Sequence, residues 1–525
     1  MPEYVNHPEI KENTLERREY QESIAKSVIN KGKNSLIVLP TGAGKTEIAI
    51  LIIAELLSKR GPKILLLAPT RPLVNQHAER LKKYLKNQNI VSITGTIKKE
   101  QRKELYEKND IIVSTPQVIE NDILSNIFNA DEIKLLIVDE AHRSVGKYAY
   151  TYVTEKCKNA LIIGLTASPG SDEERLKEIM HNLHIENVEI RTESDEDVIP
   201  YIHGVKIEVI KLEFPPEFEP MREKLREIIS KIINEIEEKY PDINIPKKLT
   251  KGQVVELQKS IWNEIQSGNK SLYPLLSYIG IIMKMLVAIE YLETQNPRTS
   301  LEYLEEIYKN GIEKKNKGDM KLSKMKEFVD LIVGAKDLVE KSSISPKIKV
   351  IGDIILDQLK RNPKSRIIVF TNYRNINMDL YNYLSTLPGV KPSRFLGQST
   401  KGSDKGMSQK EQIKILEMFK NGEINVLIST QIGEEGLDIP ETDLVIFHEA
   451  VGSEIRNIQR RGRTGRARPG RVVFLIYEDT MDENMYYASL MKEKKMKSKL
   501  KNMSKTDGKL NRKNIKGQST LTDFL

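Results

Sequence analysis

The chain has 525 residues, 39% of them hydrophobic, with 83 Lys and Arg against 74 Asp and Glu for a net charge of +9. That length exceeds what one core serves and fits roughly three domains, while the basic excess favours a polyanionic partner. Cys157 is the only cysteine, which excludes a disulfide framework, a CxxC zinc module and a thiolate-held iron–sulfur cluster; Met1-Pro2-Glu3-Tyr4 lacks the basic flank of a secretion signal, and no uninterrupted apolar stretch reaches the length of a membrane span, so neither secretion nor spanning is expected.

From Ser35 to about Val198 short apolar runs alternate with helical patterns: Lys63 to Leu67, Ile111 to Val113, Lys134 to Val138 and Leu161 to Ile163. Such alternation predicts βα units and a parallel sheet covered on both faces, with ligands at the carboxyl ends of its strands. The first run, Ser35 to Leu39, leads into Pro40-Thr41-Gly42-Ala43-Gly44-Lys45-Thr46 and then the periodic Glu47 to Ile53. Strand, glycine-bearing turn and helix point backbone N–H groups and a positive helix end at one spot, which suits a polyphosphate. Lys45 is placed to reach the β- and γ-phosphates and the Thr46 hydroxyl to hold Mg²⁺. Leu39 stands where the GxxxxGK[ST] pattern has its first glycine; Gly42 and Gly44 still supply the tight turn. Asp139-Glu140-Ala141-His142 follows another apolar run, so Asp139 is expected to bind Mg²⁺ and Glu140 to orient or deprotonate the attacking water. The two carboxylates are expected to alternate in direction as the strand ends.

Between about Lys206 and Ser345 the pattern becomes helical. Phe218, Met221, Leu225, Ile228, Ile229, Ile232, Ile233 and Ile236 recur at three- and four-residue steps, and Ile279 to Leu292 is more apolar still. An all-helical insert with its own core is predicted over 206–345, its connections rich in lysine at Lys247, Lys248, Lys251, Lys314, Lys315, Lys317, Lys321, Lys324 and Lys326. As a set these lysines are phosphate contacts in prospect; singly, each reads as a solvated face. The strand pattern returns over 346–490, with Arg366 to Phe370, Ile424 to Ile428, Leu444 to Phe447 and Val472 to Ile476 but no second phosphate loop. This half carries Gln459-Arg460-Arg461-Gly462-Arg463-Thr464-Gly465-Arg466. Arg463 and Arg466, three apart on one helical face, suit charge on a transferring phosphoryl group if the two halves close on each other. Residues 491–525 read as a flexible basic tail. It ends in Gln518-Ser519-Thr520-Leu521-Thr522-Asp523-Phe524-Leu525. That spacing fits a sliding-clamp (PCNA) binding motif, with Leu521, Phe524 and Leu525 entering an apolar pocket and Gln518 bonding beside it.

These blocks, in this order over about 450 residues, resemble a superfamily 2 helicase. The resemblance implies α/β architecture, with two RecA-like motor domains (1–205 and 346–490) flanking the helical insert. Arg18 and Gln21 match the adenine-reading Q motif; Thr41 to Thr46 are motif I, with Ala43 among the nucleotide contacts; the tetrapeptide through His142 is motif II; Thr166-Ala167-Ser168 is motif III. His142, Thr166 and Ser168 are thereby implied to couple hydrolysis to movement. In motif VI Gln459 positions water or γ-phosphate while Arg463 and Arg466 act as fingers. Implied backbone contacts to nucleic acid are Thr70, Arg71, Thr94, Gly95, Thr115 and Pro116 in the first motor domain and Thr371, Arg374, Ser429 and Thr430 in the second, with Gly436 and Asp438 linking that grip to the nucleotide. Hydroxyls and amides that meet phosphodiester oxygens carry no base information, so binding should be largely sequence-independent.

The insert between motifs III and IV is similar to that of archaeal Hef and its FANCM and Mph1 relatives, and also to Dicer and RIG-I. Arg394 to Gln398, Lys405 to Gln412 and Tyr487 to Met496 look most like Hef. The resemblance implies an ATP- and Mg²⁺-dependent DNA helicase or translocase on forked DNA and Holliday junctions, monomeric in isolation, cytoplasmic and associated with an archaeal nucleoid. The ERKxxxD signature of Hef's nuclease domain does not occur, so cleavage is not carried over. An RNA-directed ATPase and a clamp-tethered DNA-binding scaffold are the alternatives.

Overall fold

A computed structural model describes residues 3–58, 63–87, 89–201, 205–243, 245–246, 249–341, 344–398, 406–430, 439–451 and 470–505. The first lobe contains α1 (Glu19–Lys31), β1 (Ser35–Val38), α2 (Lys45–Leu57), β2 (Lys63–Leu67), α3 (Arg71–Tyr84), β3 (Ile90–Ile93), α4 (Lys99–Lys108), β4 (Ile111–Ser114), α5 (Pro116–Leu124), β5 (Ile133–Asp139), α6 (Ala149–Lys156), β6 (Leu161–Thr166), α7 (Glu173–Asn182) and β7 (Asn187–Ile190). Its strands form one parallel sheet in the order β3-β4-β2-β5-β6-β1-β7. Alternate side chains serve opposite faces: Leu135 and Ile137 enter one core, Leu136 and Val138 the other. This is why the central strands read as unbroken apolar runs.

The insert is wholly helical: α8 (Glu219–Lys239), α9 (Lys251–Gln266), α10 (Tyr273–Thr294), α11 (Pro297–Ile312), α12 (Lys317–Ser323) and α13 (Lys326–Lys341). Every apolar position of α8 from Met221 to Ile236 is buried in its core. By length and composition α10 could cross a bilayer, but it is the central helix of the bundle, with Ile279, Ile282, Met285 and Ile289 in that same core.

The second lobe comprises α14 (Pro346–Arg361), β9 (Ile367–Phe370), α15 (Arg374–Leu384), β10 (Pro392–Phe395), α16 (Gln409–Asn421), β11 (Val426–Ser429), β12 (Leu444–Phe447) and β13 (Gly470–Tyr477). Its sheet runs β10-β11-β9-β12-β13-β8, where β8 is Val205–Leu212. The expected insert boundary at 206 is therefore corrected. Val205 to Leu212 pairs along its length with β13, so the chain visits the second lobe before building the insert.

The expected tail from 491 is corrected too, because one helix runs Met481–Lys505. It begins on the second lobe, where Tyr486 packs 5.1 Å from Phe474. It ends on the first, with Met496 and Leu500 in that lobe's core and Lys499 and Lys501 paired to Glu173 and Asp195 at 3.0 and 3.1 Å. A helix docked on one apolar stripe orders a sequence whose overall composition is too polar to suggest it.

Candidate active site

After β1 the chain turns through Gly42 (φ 82°) and Gly44 (φ 79°) into α2. Glycine adopts this left-handed backbone without strain. Gly44 is constrained further: a Cβ there would collide with the Gln21 amide and lie 2.9 Å from a Glu47 carboxylate oxygen. The turn thus brings Lys45 and Thr46 to the positive end of α2. Lys45 Nζ donates to the Leu39 carbonyl at 3.4 Å. Buried Gln21 donates to the Ala43 carbonyl at 3.2 Å, and the Tyr20 hydroxyl donates to the same oxygen at 2.6 Å. Arg18 pairs with Glu16 at 3.0 Å and lies over the Tyr201 ring. Thr41 is partly buried in the turn.

Asp139 closes β5 and is buried. Glu140 does not continue the strand, as the expected alternation required. Its backbone is left-handed at φ 51° and ψ 51°, a conformation that costs a non-glycine residue on the order of 1 kcal/mol or more and clusters at functional sites. The turn swings the Glu140 carboxylate to within 3.3 Å of His142 Nδ1. Burial pushes that carboxyl up, but the His142 ring and the charges of Lys45 and Arg143 outweigh it and lower it to about 2. His142 Nδ1 also lies 3.2 Å from the Thr166 hydroxyl, which accepts from the Ser168 N–H at 3.1 Å. The ends of neighbouring strands β5 and β6 are thereby joined.

The glycine turn, Lys45, Thr46 and the two carboxylates fit a nucleotide's phosphates and a cation that takes part of its coordination from them. Among the described residues there is no group of three or more His, Cys, Asp or Glu side chains that could hold a metal ion.

Further along the same edge, Thr70 immediately precedes α3, Thr115 immediately precedes α5 with Pro116 as its first residue, and Thr94 and Gly95 follow β3. The Arg71 guanidinium lies 3.4 Å from where a Gly95 Cβ would stand, so these segments converge. Arg102 and Asp122, both buried, join α4 to α5 through two bonds of 2.7 and 2.5 Å, while Arg102 also donates to Ile97 O at 2.6 Å. On the second lobe the Thr371 N–H donates to Ser429 O at 2.9 Å, Thr430 N–H to Phe395 O at 3.4 Å and Arg374 to Gly397 O at 3.4 Å. They gather at the carboxyl ends of β9, β10 and β11. Gly436, Asp438, Gln459, Arg463, Arg466, Gln518, Leu521, Phe524 and Leu525 lie outside the described residues.

Three families match in the order of these parts: "Type III restriction enzyme, res subunit" over residues 14–171, "Putative ATP-dependent RNA helicase, helical bundle" over 217–339, and "Helicase conserved C-terminal domain" over 346–468. The crystal structure of the Pyrococcus furiosus Hef helicase domain is 40% identical, with a TM-score of 0.66, covering 90% of this chain and 98% of that one. The chain belongs to the superfamily 2 helicases of the Hef, FANCM and Mph1 type. The matched parts are those of an ATP-driven helicase motor. A Methanocaldococcus jannaschii protein named "Putative ATP-dependent RNA helicase" is 42% identical over 95% of this chain and 63% of its own length. The Arabidopsis thaliana "DEAD-box ATP-dependent RNA helicase FANCM" is 33% identical over 92% of this chain and 36% of its own, and the Pyricularia oryzae "ATP-dependent DNA helicase MPH1" 31% over 91% and 45%. The chain thus spans between about a third and two thirds of these relatives' lengths.

Two contacts to this Hef-type pocket escaped the sequence. His77 Nε2 lies 2.8 Å from Asp139 Oδ2, and the Ser168 hydroxyl donates to Met496 Sδ at 3.0 Å. Their partners are 62 and 328 residues apart in the chain, and no local pattern marks either one.

Proposed function

We propose that this chain is an ATP-dependent DNA helicase or translocase that remodels branched DNA, replication forks and Holliday junctions, in DNA repair. The observation that carries the reading is the helical insert braced against the second lobe's nucleic-acid segment. Tyr291 meets Tyr373 at 5.3 Å between ring centres, and Asn375 donates to Thr299 at 2.7 Å. An insert tied there would meet duplex as the motor tracks one strand. Relatives named as DNA helicases support the choice of DNA.

In this reading Gln21 and Arg18 face the adenine, Thr41 to Lys45 cradle the phosphates, and Thr46 and Asp139 hold magnesium. The cation, when bound, would neutralise charge on the phosphates. Glu140 orients or deprotonates the attacking water, and Gln459, Arg463 and Arg466 complete the pocket from the second lobe. Thr70, Arg71, Thr94, Gly95, Thr115, Pro116, Thr371, Arg374, Ser429 and Thr430 take the phosphodiester backbone, Gly436 and Asp438 relaying the grip. His142, Thr166 and Ser168 would transmit hydrolysis, and Gln518, Leu521, Phe524 and Leu525 would tether the motor to a sliding clamp. The working parts are then a first lobe to about residue 201, an insert from about 214 to 341, and a second lobe that includes Val205–Leu212. The setting would be the archaeal cytoplasm at the nucleoid.

A second reading, an RNA-directed ATPase, is favoured by the names of two relatives and of the insert's family. ATP turnover measured with forked DNA, linear duplex DNA and duplex RNA separates them. Forked DNA should stimulate most; stimulation by duplex RNA alone would replace the DNA reading with the RNA one.

A further inference from the structure

Helix α3 touches both the nucleic-acid edge and the nucleotide pocket. Its first turn carries Thr70 and Arg71. About 9 Å along its axis, at the helical rise per residue, His77 meets the Asp139 carboxylate at 2.8 Å. One turn later Arg80 meets Glu47 Oε1 at 2.6 Å. Glu47 belongs to the first turn of α2, beside Lys45 and Thr46. His77 and Arg80, three apart, share a face of the helix, so a single rigid element contacts both halves of the phosphate site.

The His77 contact is built rather than incidental. The side chains of His77 and Asp139 are 8% and 11% exposed. A carboxylate only accepts, so Nε2 carries the proton and donates to Oδ2. The other ring nitrogen, Nδ1, is buried without a partner among the described residues. The bond therefore fixes which Asp139 oxygen remains for other ligands, much as outer hydrogen bonds orient metal-binding carboxylates. Val74, Ala78 and Leu81 pack α3 into the lobe's core, so a displacement imposed on its first turn would pass along the helix to His77 and Arg80.

We infer that His77 is a positioning residue which, with Arg80, couples nucleic-acid binding at the start of α3 to the geometry of the magnesium–nucleotide site. The inference rests on the reading of Thr70 and Arg71 as strand contacts. Coupling between two sites is reciprocal, so whatever a bound strand does to nucleotide affinity, bound nucleotide must do to strand affinity.

The test is the affinity of the full chain for a fluorescent DNA fork, measured without nucleotide and again with magnesium and a non-hydrolysable ATP analogue. In the parent the two affinities should differ severalfold. His77→Leu should bring their ratio to within about twofold of one while nucleotide-free affinity moves by less than about threefold. His77→Gln, whose amide nitrogen can stand near the position of Nε2, should restore most of the ratio. Arg80→Met, which leaves Asp139 untouched, should lower it in the same direction. A parental ratio in His77→Leu, or in Arg80→Met if the former does not fold, overturns the inference. A parent that binds DNA with the same affinity in both conditions also overturns it but leaves the helicase reading standing; a parent that binds no nucleic acid overturns both.

Discussion

Glu140 combines a left-handed backbone with a carboxyl lowered to about 2, and both features bear on chemistry at the pocket. In the proposed role of orienting the attacking water, a carboxylate kept anionic against burial by His142, Lys45 and Arg143 accepts that water's hydrogen bond across the neutral range, so Glu140→Gln should cut ATP turnover by about 100-fold or more. Lys45→Ala should do the same by removing the phosphate contact, and DNA binding should persist in both variants. Turnover near the parental rate in either one, measured with saturating DNA, contradicts the assignment. The same shift has a sign in stability. The folded value lies below the ordinary 4.5, so the charged carboxylate stabilises the fold above that pH and the contribution fades as pH falls toward 2. The melting temperature of Glu140→Gln should therefore lie below the parent's at pH 6 to 8, and the gap should narrow on acidification below about pH 4.5. A gap that widens there would show that the surrounding cations do not hold this charge. Lys45, Thr46, Asp139 and Glu140 were legible as candidates in the sequence because each pair stands in one short local motif after an apolar strand. His77 was not, since a histidine on a half-apolar helix looks the same whether or not a carboxylate from a distant strand meets it.

Elements were legible in proportion to their burial. β1, β2, β4, β5, β6, β9, β11, β12 and β13 are covered on both faces and appear as apolar runs, whereas β3, β7, β8 and β10 carry polar residues because they lie toward the sheet margins. Val205 to Val209 alternates apolar with polar residues, but the phase slips at Ile210, and beside a long helical region so short a signal is lost; only pairing with β13 assigns the segment to the second sheet. The Met481–Lys505 helix is anchored by an interaction equally invisible in sequence. Lys347 and Asp482, both without exposed side-chain surface, meet at 2.5 Å. Asp482 also accepts the Ala450 N–H at 2.9 Å. Burial raises the Asp482 carboxyl while Lys347 opposes the rise, so removing the lysine leaves a buried acid with little compensation. Lys347→Met should destabilise the second lobe by about 3–5 kcal/mol. Lys347→Met with Asp482→Leu should recover much of that loss, because desolvating two charges offsets most of what their attraction returns. Chemical denaturation of the three proteins checks this; a double variant no more stable than the single one would show that the bonds to the backbone, rather than the ion pair, anchor the helix.

Across the whole molecule, the insert and the second lobe are joined at several points. Glu293 accepts the Met481 N–H at 2.7 Å, Phe214 meets Tyr477 at 5.8 Å, Arg298 reaches Asp379 at 3.7 Å and Thr299 accepts from Asn375 at 2.7 Å. Asn375 directly follows Arg374 at the start of α15, so these ties end where the second lobe is proposed to hold its strand. A motor that steps by moving one lobe over the other would then carry the insert along, and duplex at a branch would be pushed once per step. Weakening the brace should separate hydrolysis from remodelling. Arg298→Ala with Thr299→Val removes the outer contacts from the insert's side and leaves Lys45, Asp139, Glu140 and the strand-contact residues unchanged. Turnover stimulated by single-stranded DNA should stay within about twofold of the parent, while strands displaced per ATP at a fork should fall by about fivefold or more, because only the second quantity requires the insert to move with the lobe. Both are read from one reaction that follows phosphate release and strand displacement together. An equal fall in the two would mean that the brace supports the lobe's own fold, and no fall in either would mean that the insert engages the branch without being driven by the lobe.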